Sequence, residues 1–127
     1  MVVQLNHTIV PARDKRTSAY FLSEILGLDD PVPFGPFMAV AAGNNVTLDF
    51  ADHDGEIEPG HYAFLVSEQE FDAVFGRFRD RKLAFWADPH HHQPSEINTR
   101  DNGRGVYFDS PEGHVLEILT RPYGSGQ

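Results

Sequence analysis

The sequence predicts an α+β domain built from two copies of one β-α-β-β-β module, and three features predict it. A histidine opens an apolar strand that leads into an amphipathic helix twice, at Leu5-Asn6-His7-Thr8-Ile9-Val10 and at His61-Tyr62-Ala63-Phe64-Leu65-Val66. Each half later offers a Leu-acid-apolar strand, Leu48-Asp49-Phe50 and Leu116-Glu117-Ile118. Turn-forming runs punctuate both halves at matching places. Two histidines and one or two carboxylates, repeated by duplication, are what a divalent metal site between matching halves needs.

In the first module, Gln4 to Val10 alternates as a strand, with Pro11 closing it. Asp14 is placed to cap a helix whose apolar stripe is Phe21, Leu22, Ile25 and Leu26, and Gly27 suits the left-handed position that ends it. Asp29 to Pro36 holds three prolines and a glycine and reads as a loop. Phe37 to Ala42 and Val46 to Phe50 form a hairpin around Gly43-Asn44-Asn45. Residues 52–60 are an acidic connector joining the modules, since each half alone is too small to bury a core.

The second module repeats the order. Ser67 and Glu70 make a capping box for a helix near residues 68–82, with Phe71, Val74, Phe75 and Phe78 as the buried stripe. Arg77, Arg79, Arg81 and Lys82 fall late in it, where they suit its dipole. Leu83 to Trp86 begins a strand. Residues 87–104 are a long polar stretch containing His90-His91-His92. Gly105 to Phe108 and Val115 to Leu119 are the last strands, joined by Asp109-Ser110-Pro111-Glu112-Gly113. Module 1 thus spans about residues 3–51 and module 2 about 60–121 of a single domain of 127 residues.

Composition narrows the function. Cysteine is absent, which excludes disulfides, thiolate catalysis and Cys-based zinc sites. A formal charge of -9, from 19 acids against 10 Lys and Arg, disfavours nucleic acid and anionic membranes as partners. The chain has neither a membrane span nor the layout of a signal peptide, so the expectation is a cytoplasmic protein.

Strand alternation places His61 with Ala63 and Leu65, opposite the apolar set Tyr62, Phe64 and Val66 that suits a face under the helix. Glu117 shares a face with Val115 and Leu119, and His7 with Leu5 and Ile9. A carboxylate flanked by apolar strand residues is costly to bury uncompensated. A metal would compensate it. Taken singly, each residue reads more readily as a hydrogen-bonded core histidine or a strand acid at the rim.

Asn6-His7-Thr8, Gly60-His61-Tyr62-Ala63-Phe64, and Tyr107-Phe108-Asp109-Ser110-Pro111-Glu112-Gly113-His114 leading to Glu117 resemble the vicinal oxygen chelate superfamily. Glyoxalase I, fosfomycin-resistance proteins, extradiol dioxygenases and bleomycin-resistance proteins are members. The resemblance covers about residues 3–121. It implies that each module curls into a half-barrel cup and that paired modules enclose a metal. It points to His7, His61 and Glu117 as ligands of one divalent ion: iron, manganese, zinc, nickel or cobalt. Asp49 occupies the place of Glu117 in the first module; one methylene shorter, it reads as a direct ligand, as a group acting through a water or behind a ligand, or as a solvent-facing strand acid. Tyr107 stands where fosfomycin-resistance and extradiol members carry a tyrosine near the metal, and it suits a hydrogen bond to a substrate oxygen or a plain aromatic role. The resemblance further implies a homodimer in which His7 of one chain meets His61 and Glu117 of the other, with closure of the site within one chain, as in some other members, as the alternative.

Adjacent residues cannot all face one ion, so His90-His91-His92 reads as a solvated or pocket-rim loop. Arg100 and Arg104 flank an Asp-Asn-Gly turn and suit either an anionic substrate or the surface. Three readings follow: an enzyme whose metal acts as Lewis acid on a small molecule chelated through neighbouring oxygens, a metal-free module sequestering an aromatic compound, and a scaffold dimer. The intact His7, His61 and Glu117 set favours the enzyme. Fosfomycin-resistance members carry a threonine where Ile9 stands and a lysine where Ala87 follows Trp86, so the expected substrate is an apolar or aromatic chelator rather than a phosphonate. The segment from His90 to Gly103 is expected at the pocket mouth.

Overall fold

The computed structural model describes residues 2–126, and the chain divides into two compact units, Met1–Glu58 and Pro59–Gln127. In the first unit β1 (His7–Ala12) leads to α1 (Lys15–Leu26) and then to β2 (Val32–Phe34), β3 (Phe37–Ala41) and β4 (Thr47–Asp52). The sheet order is β1-β4-β3-β2. β1 and β4 run parallel, an arrangement that requires a long crossover, supplied here by α1 and the β2–β3 hairpin.

Capping fixes where α1 starts and stops. The Asp14 carboxylate accepts from the Arg16 and Thr17 amides at 3.0 and 3.1 Å, and Gly27 ends the helix at φ 72°. Val10, Ala12, Met38, Val40, Leu48 and Phe50 bury the sheet face that meets Ala19, Leu22 and Ile25 of the helix. Arg13 donates to the carbonyls of His53, Asp54 and Gly55 at 2.8 to 3.0 Å, tying the acidic connector down.

Two expectations change here. Pro11 does not close β1, which runs on to Ala12. The even-numbered residues carry the bonds to β4, with Asn6 O accepting from Thr47 N and Ala12 O from His53 N. The missing N–H of Pro11 therefore faces the open edge of the sheet, where proline is tolerated. The stretch from Asp29 to Pro36 is not wholly a loop, because Val32–Phe34 forms a short edge strand against β3.

In the second unit β5 (His61–Leu65) leads to α2 (Glu68–Asp80), a tight turn at Arg100–Asn102 with Asp101 and Asn102 in the left-handed region, β6 (Gly105–Asp109) and β7 (Val115–Leu119). The order is β5-β7-β6, again with the first and last strands parallel. The capping box at Ser67 and Glu70 is formed, at 2.7 and 3.0 Å, and such caps contribute about 1 kcal/mol. Phe71, Val74 and Phe78 are buried, and the Phe78 ring lies 4.8 Å from that of Phe108, which seats α2 on β6.

The strand expected from Leu83 shrinks to Trp86, which bridges Tyr107 on one side and Pro94 on the other. The Asp88 carboxylate accepts from the His92 and Gln93 amides and turns the chain back before a ladder can extend. Among the described residues, no helix is long and apolar enough to cross a membrane.

Candidate functional site

Both units place their chemistry on the sheet face away from the helix. In unit 1 His7 pairs with Thr47, and Ile9 pairs with Asp49. In unit 2 His61 pairs with Val115, and Ala63 pairs with Glu117. Each histidine thus stands diagonally to an acid two residues further along the neighbouring strand. The duplicated motif is a duplicated geometry.

The second unit holds the more developed cluster. His61 Nε2 lies 2.9 Å from Glu117 Oε1; the imidazole is half exposed and the carboxylate nearly buried. Tyr107 sits directly opposite Glu117 on β6, with its ring 5.9 Å from the His61 ring. Burial first, then the Glu117 charge and a hydrogen bond to that carboxylate, push the Tyr107 phenol above its ordinary pKa, against the opposing pull of Arg100. The phenol therefore stays protonated at neutral pH and remains a donor. Arg100 Nη1 donates to the Tyr107 oxygen at 2.8 Å. A continuous polar chain runs from His61 through Glu117 and Tyr107 to Arg100.

Trp86 continues the row, being bridged to Tyr107. The His91 ring stacks on Trp86 with centroids 3.5 Å apart, and its Nε2 lies 3.2 Å from Asp109 Oδ2. The middle histidine of the triple run is thus fastened beside the cluster, while the His92 side chain is exposed and 3.8 Å from Asp88. Arg104 takes no part, because Glu68 and Asp72 hold its guanidinium at 2.8 and 2.9 Å.

In unit 1 Asn6, His7, Val32, Pro33, Phe34, Ala39, Thr47 and Asp49 line a groove of about 410 Å³. His7 Nδ1 is 2.7 Å from Asn6 Oδ1. With Nδ1 donating to that oxygen, Nε2 is the ring nitrogen left to face a ligand. Asp49 is 5% exposed, and its Oδ1 has no hydrogen-bond partner among the described residues. Buried carboxylate oxygens are costly in that state.

The structure therefore brings together His61, Glu117 and Tyr107 in one unit and sets His7 and Asp49 beside one groove in the other. Among the described residues, no group of three or more His, Asp or Glu side chains is close enough to hold a metal ion. Sequence reasoning passed over the Trp86–His91–Asp109 assembly and gave Arg100 no preference over Arg104. The seven-residue spacing of Arg100 and Tyr107 across a turn was the available signal.

His114, the last residue of the most specific motif, is structural. It is buried, and its Nδ1 accepts from the Gly60 amide at 2.8 Å. Its own amide donates to Ser110 Oγ at 2.9 Å. The motif closes the β6–β7 turn and pins the start of β5, which sets the register that joins His61 to Glu117.

Known proteins are similar to this chain in sequence and fold. The chain is 61% identical to the solved oxidase ChaP-H1, over 97% of this chain and 99% of that one, with a TM-score of 0.95. It is 60% identical to oxidase ChaP-H2 over the whole of both chains, with a TM-score of 0.96. It is 26% identical to glutathione transferase FosA of Serratia marcescens, over 93% of this chain and 81% of that protein. No family model matches the chain.

Proposed function

The chain belongs to the vicinal oxygen chelate superfamily of enzymes, and on that premise we propose a divalent-metal-dependent oxidase of a small aromatic substrate bearing neighbouring oxygens. The observation that carries the reading is the His61–Glu117 pair at 2.9 Å on an open sheet face beside Tyr107. Identity of 61% over nearly the whole length of an oxidase supports the reaction class, with dioxygen as the electron acceptor.

The donor set fits a metal. His61 and Glu117 supply nitrogen and oxygen from adjacent strands, His7 offers Nε2, and the partnerless Oδ1 of Asp49 is an acceptor in search of a cation. Imidazole and carboxylate together suit iron, manganese, zinc, nickel or cobalt. When bound, such an ion supplies Lewis acidity to two adjacent substrate oxygens. Tyr107, protonated at neutral pH, donates a hydrogen bond to a substrate oxygen, while Trp86 offers an aromatic wall and Ile9 an apolar one. The two modules act as one domain in a homodimer, His7 of one protomer joining His61 and Glu117 of the other.

Metal analysis by mass spectrometry should find about one divalent ion per chain. Occupancy should fall in acid, because a protonated imidazole cannot ligate. With the native metal restored, oxygen uptake is expected with catechol-type substrates and not with fosfomycin. Tight fosfomycin binding without any catechol-type binding in calorimetry overturns the substrate reading. Light scattering on the metal-loaded protein should give a dimer; a fully loaded monomer at micromolar concentration rejects the shared site.

A further inference from the structure

We propose that Arg100 is a substrate-binding residue that selects ligands carrying an anionic oxygen. The proposal deepens the reading above and rests on it for the place of the substrate. Arg100 spends a single donor on Tyr107, at 2.8 Å, and its guanidinium carbon stands 5.7 Å from the Tyr107 ring centre. No carboxylate among the described residues forms an ion pair with it, whereas Arg104 a few residues on is held by two. In a chain of net charge -9, a guanidinium that no carboxylate holds, separated from Glu117 by Tyr107, is a fork open toward a ligand.

The position is held from behind. Asn98 Oδ1 accepts from the Arg100 amide at 3.3 Å, and Asn98 Nδ2 is itself bonded to the Ala87 carbonyl at 2.9 Å. The next residue, Asp101, takes the left-handed region at φ 57°. Its carboxylate accepts from the Gly124 and Gly126 amides at 3.1 and 3.0 Å. A Cβ at Gly126 would fall on the Asp101 backbone, so only glycine allows that approach. Asp101 thus spends its charge on the C-terminal segment and not on its neighbour Arg100. The turn presents the guanidinium pre-positioned, which lowers the entropic cost of ligand capture.

An aromatic ligand lying along Trp86 and Tyr107 would meet this cation at one oxygen. The preferred substrate class is therefore an aromatic anion, such as a phenolate or carboxylate, over a neutral ether or ketone.

Two probes test this in titrations of the metal-loaded protein. Nitrocatechol offers charge and neighbouring oxygens, and its anion is recognised by its own absorption band. Benzoate offers charge without oxygens on two neighbouring carbons. Arg100→Gln should weaken both by about 10- to 100-fold, the worth of a charge-assisted hydrogen bond. Arg100→Lys should recover part of the loss. Metal content and melting temperature should match the parent protein, since Arg100 is exposed. Arg100-dependent benzoate binding with no nitrocatechol binding would sink the oxygen-chelate reading and leave this proposal standing. Unchanged affinity of Arg100→Gln for both probes, or no benzoate binding by the parent protein, overturns it.

Discussion

Glu117→Gln is expected to cost metal affinity by more than about 100-fold, since substitutions merely behind a ligand already cost 10- to 100-fold. The change keeps the side chain's shape and removes its charge. Glu117 is 9% exposed and lies between His61 Nε2 at 2.9 Å and the Tyr107 hydroxyl. A neutral amide in that place donates where both neighbours offer protons. The lost hydrogen bonds cost folding about 1–3 kcal/mol, so the metal-free variant should melt somewhat below the metal-free parent but still cooperatively. That pairing separates lost ligation from lost folding. Mass-spectrometric metal analysis with a thermal melt on the same sample checks it, and parental metal stoichiometry in the variant would remove Glu117 from the ligand set.

Phe78→Ala should destabilise the fold by about 3–5 kcal/mol. The side chain is fully buried, and its ring centre lies 4.8 Å from Phe108, 5.9 Å from Phe85 and 6.0 Å from Phe75. Its carbonyl also accepts from the Leu83 amide at 2.8 Å, closing the end of α2. The ring joins helix, sheet and the chain after the helix, so no single neighbour can move in to fill the space. Such a loss is a large share of the 5–15 kcal/mol typical of a domain. Urea unfolding at equilibrium measures it; a loss below about 1 kcal/mol would mean that α2 does not close this core.

What the sequence revealed follows from the range of the interactions involved. The face shared by His61 and Glu117 was legible because strand alternation is local and its period admits no drift. Caps at Asp14, Gly27, Ser67 and Glu70 were legible for the same reason, being contacts within a single helical turn. Pro11 misled because its effect depends on which side of β1 carries a neighbour, and that is set by β4 some forty residues away. The strand from Leu83 failed because Asp88 bonds the backbone of His92 and Gln93, a competition that apolar patterning does not register. Arg100 and Arg104 looked alike in the sequence, and only folding brings Glu68 and Asp72 to one of them. The missing partner of Asp49 Oδ1 is likewise a property of packing rather than of residue type.

The equal stagger of His7 on Asp49 and of His61 on Glu117 is a matter of strand register, and the segment after Trp86 supplies neither strand of either pair. Insertions, deletions or exchange between residues 87 and 104 should leave that stagger in place, although the same segment carries His91 and Arg100. The molecule thus separates a part that must not change from a part that can be rewritten, which makes such a scaffold evolvable. For an engineer, the segment after Trp86 is the place to diversify when a new substrate is wanted. The four strands bearing the two pairs are the place to leave alone.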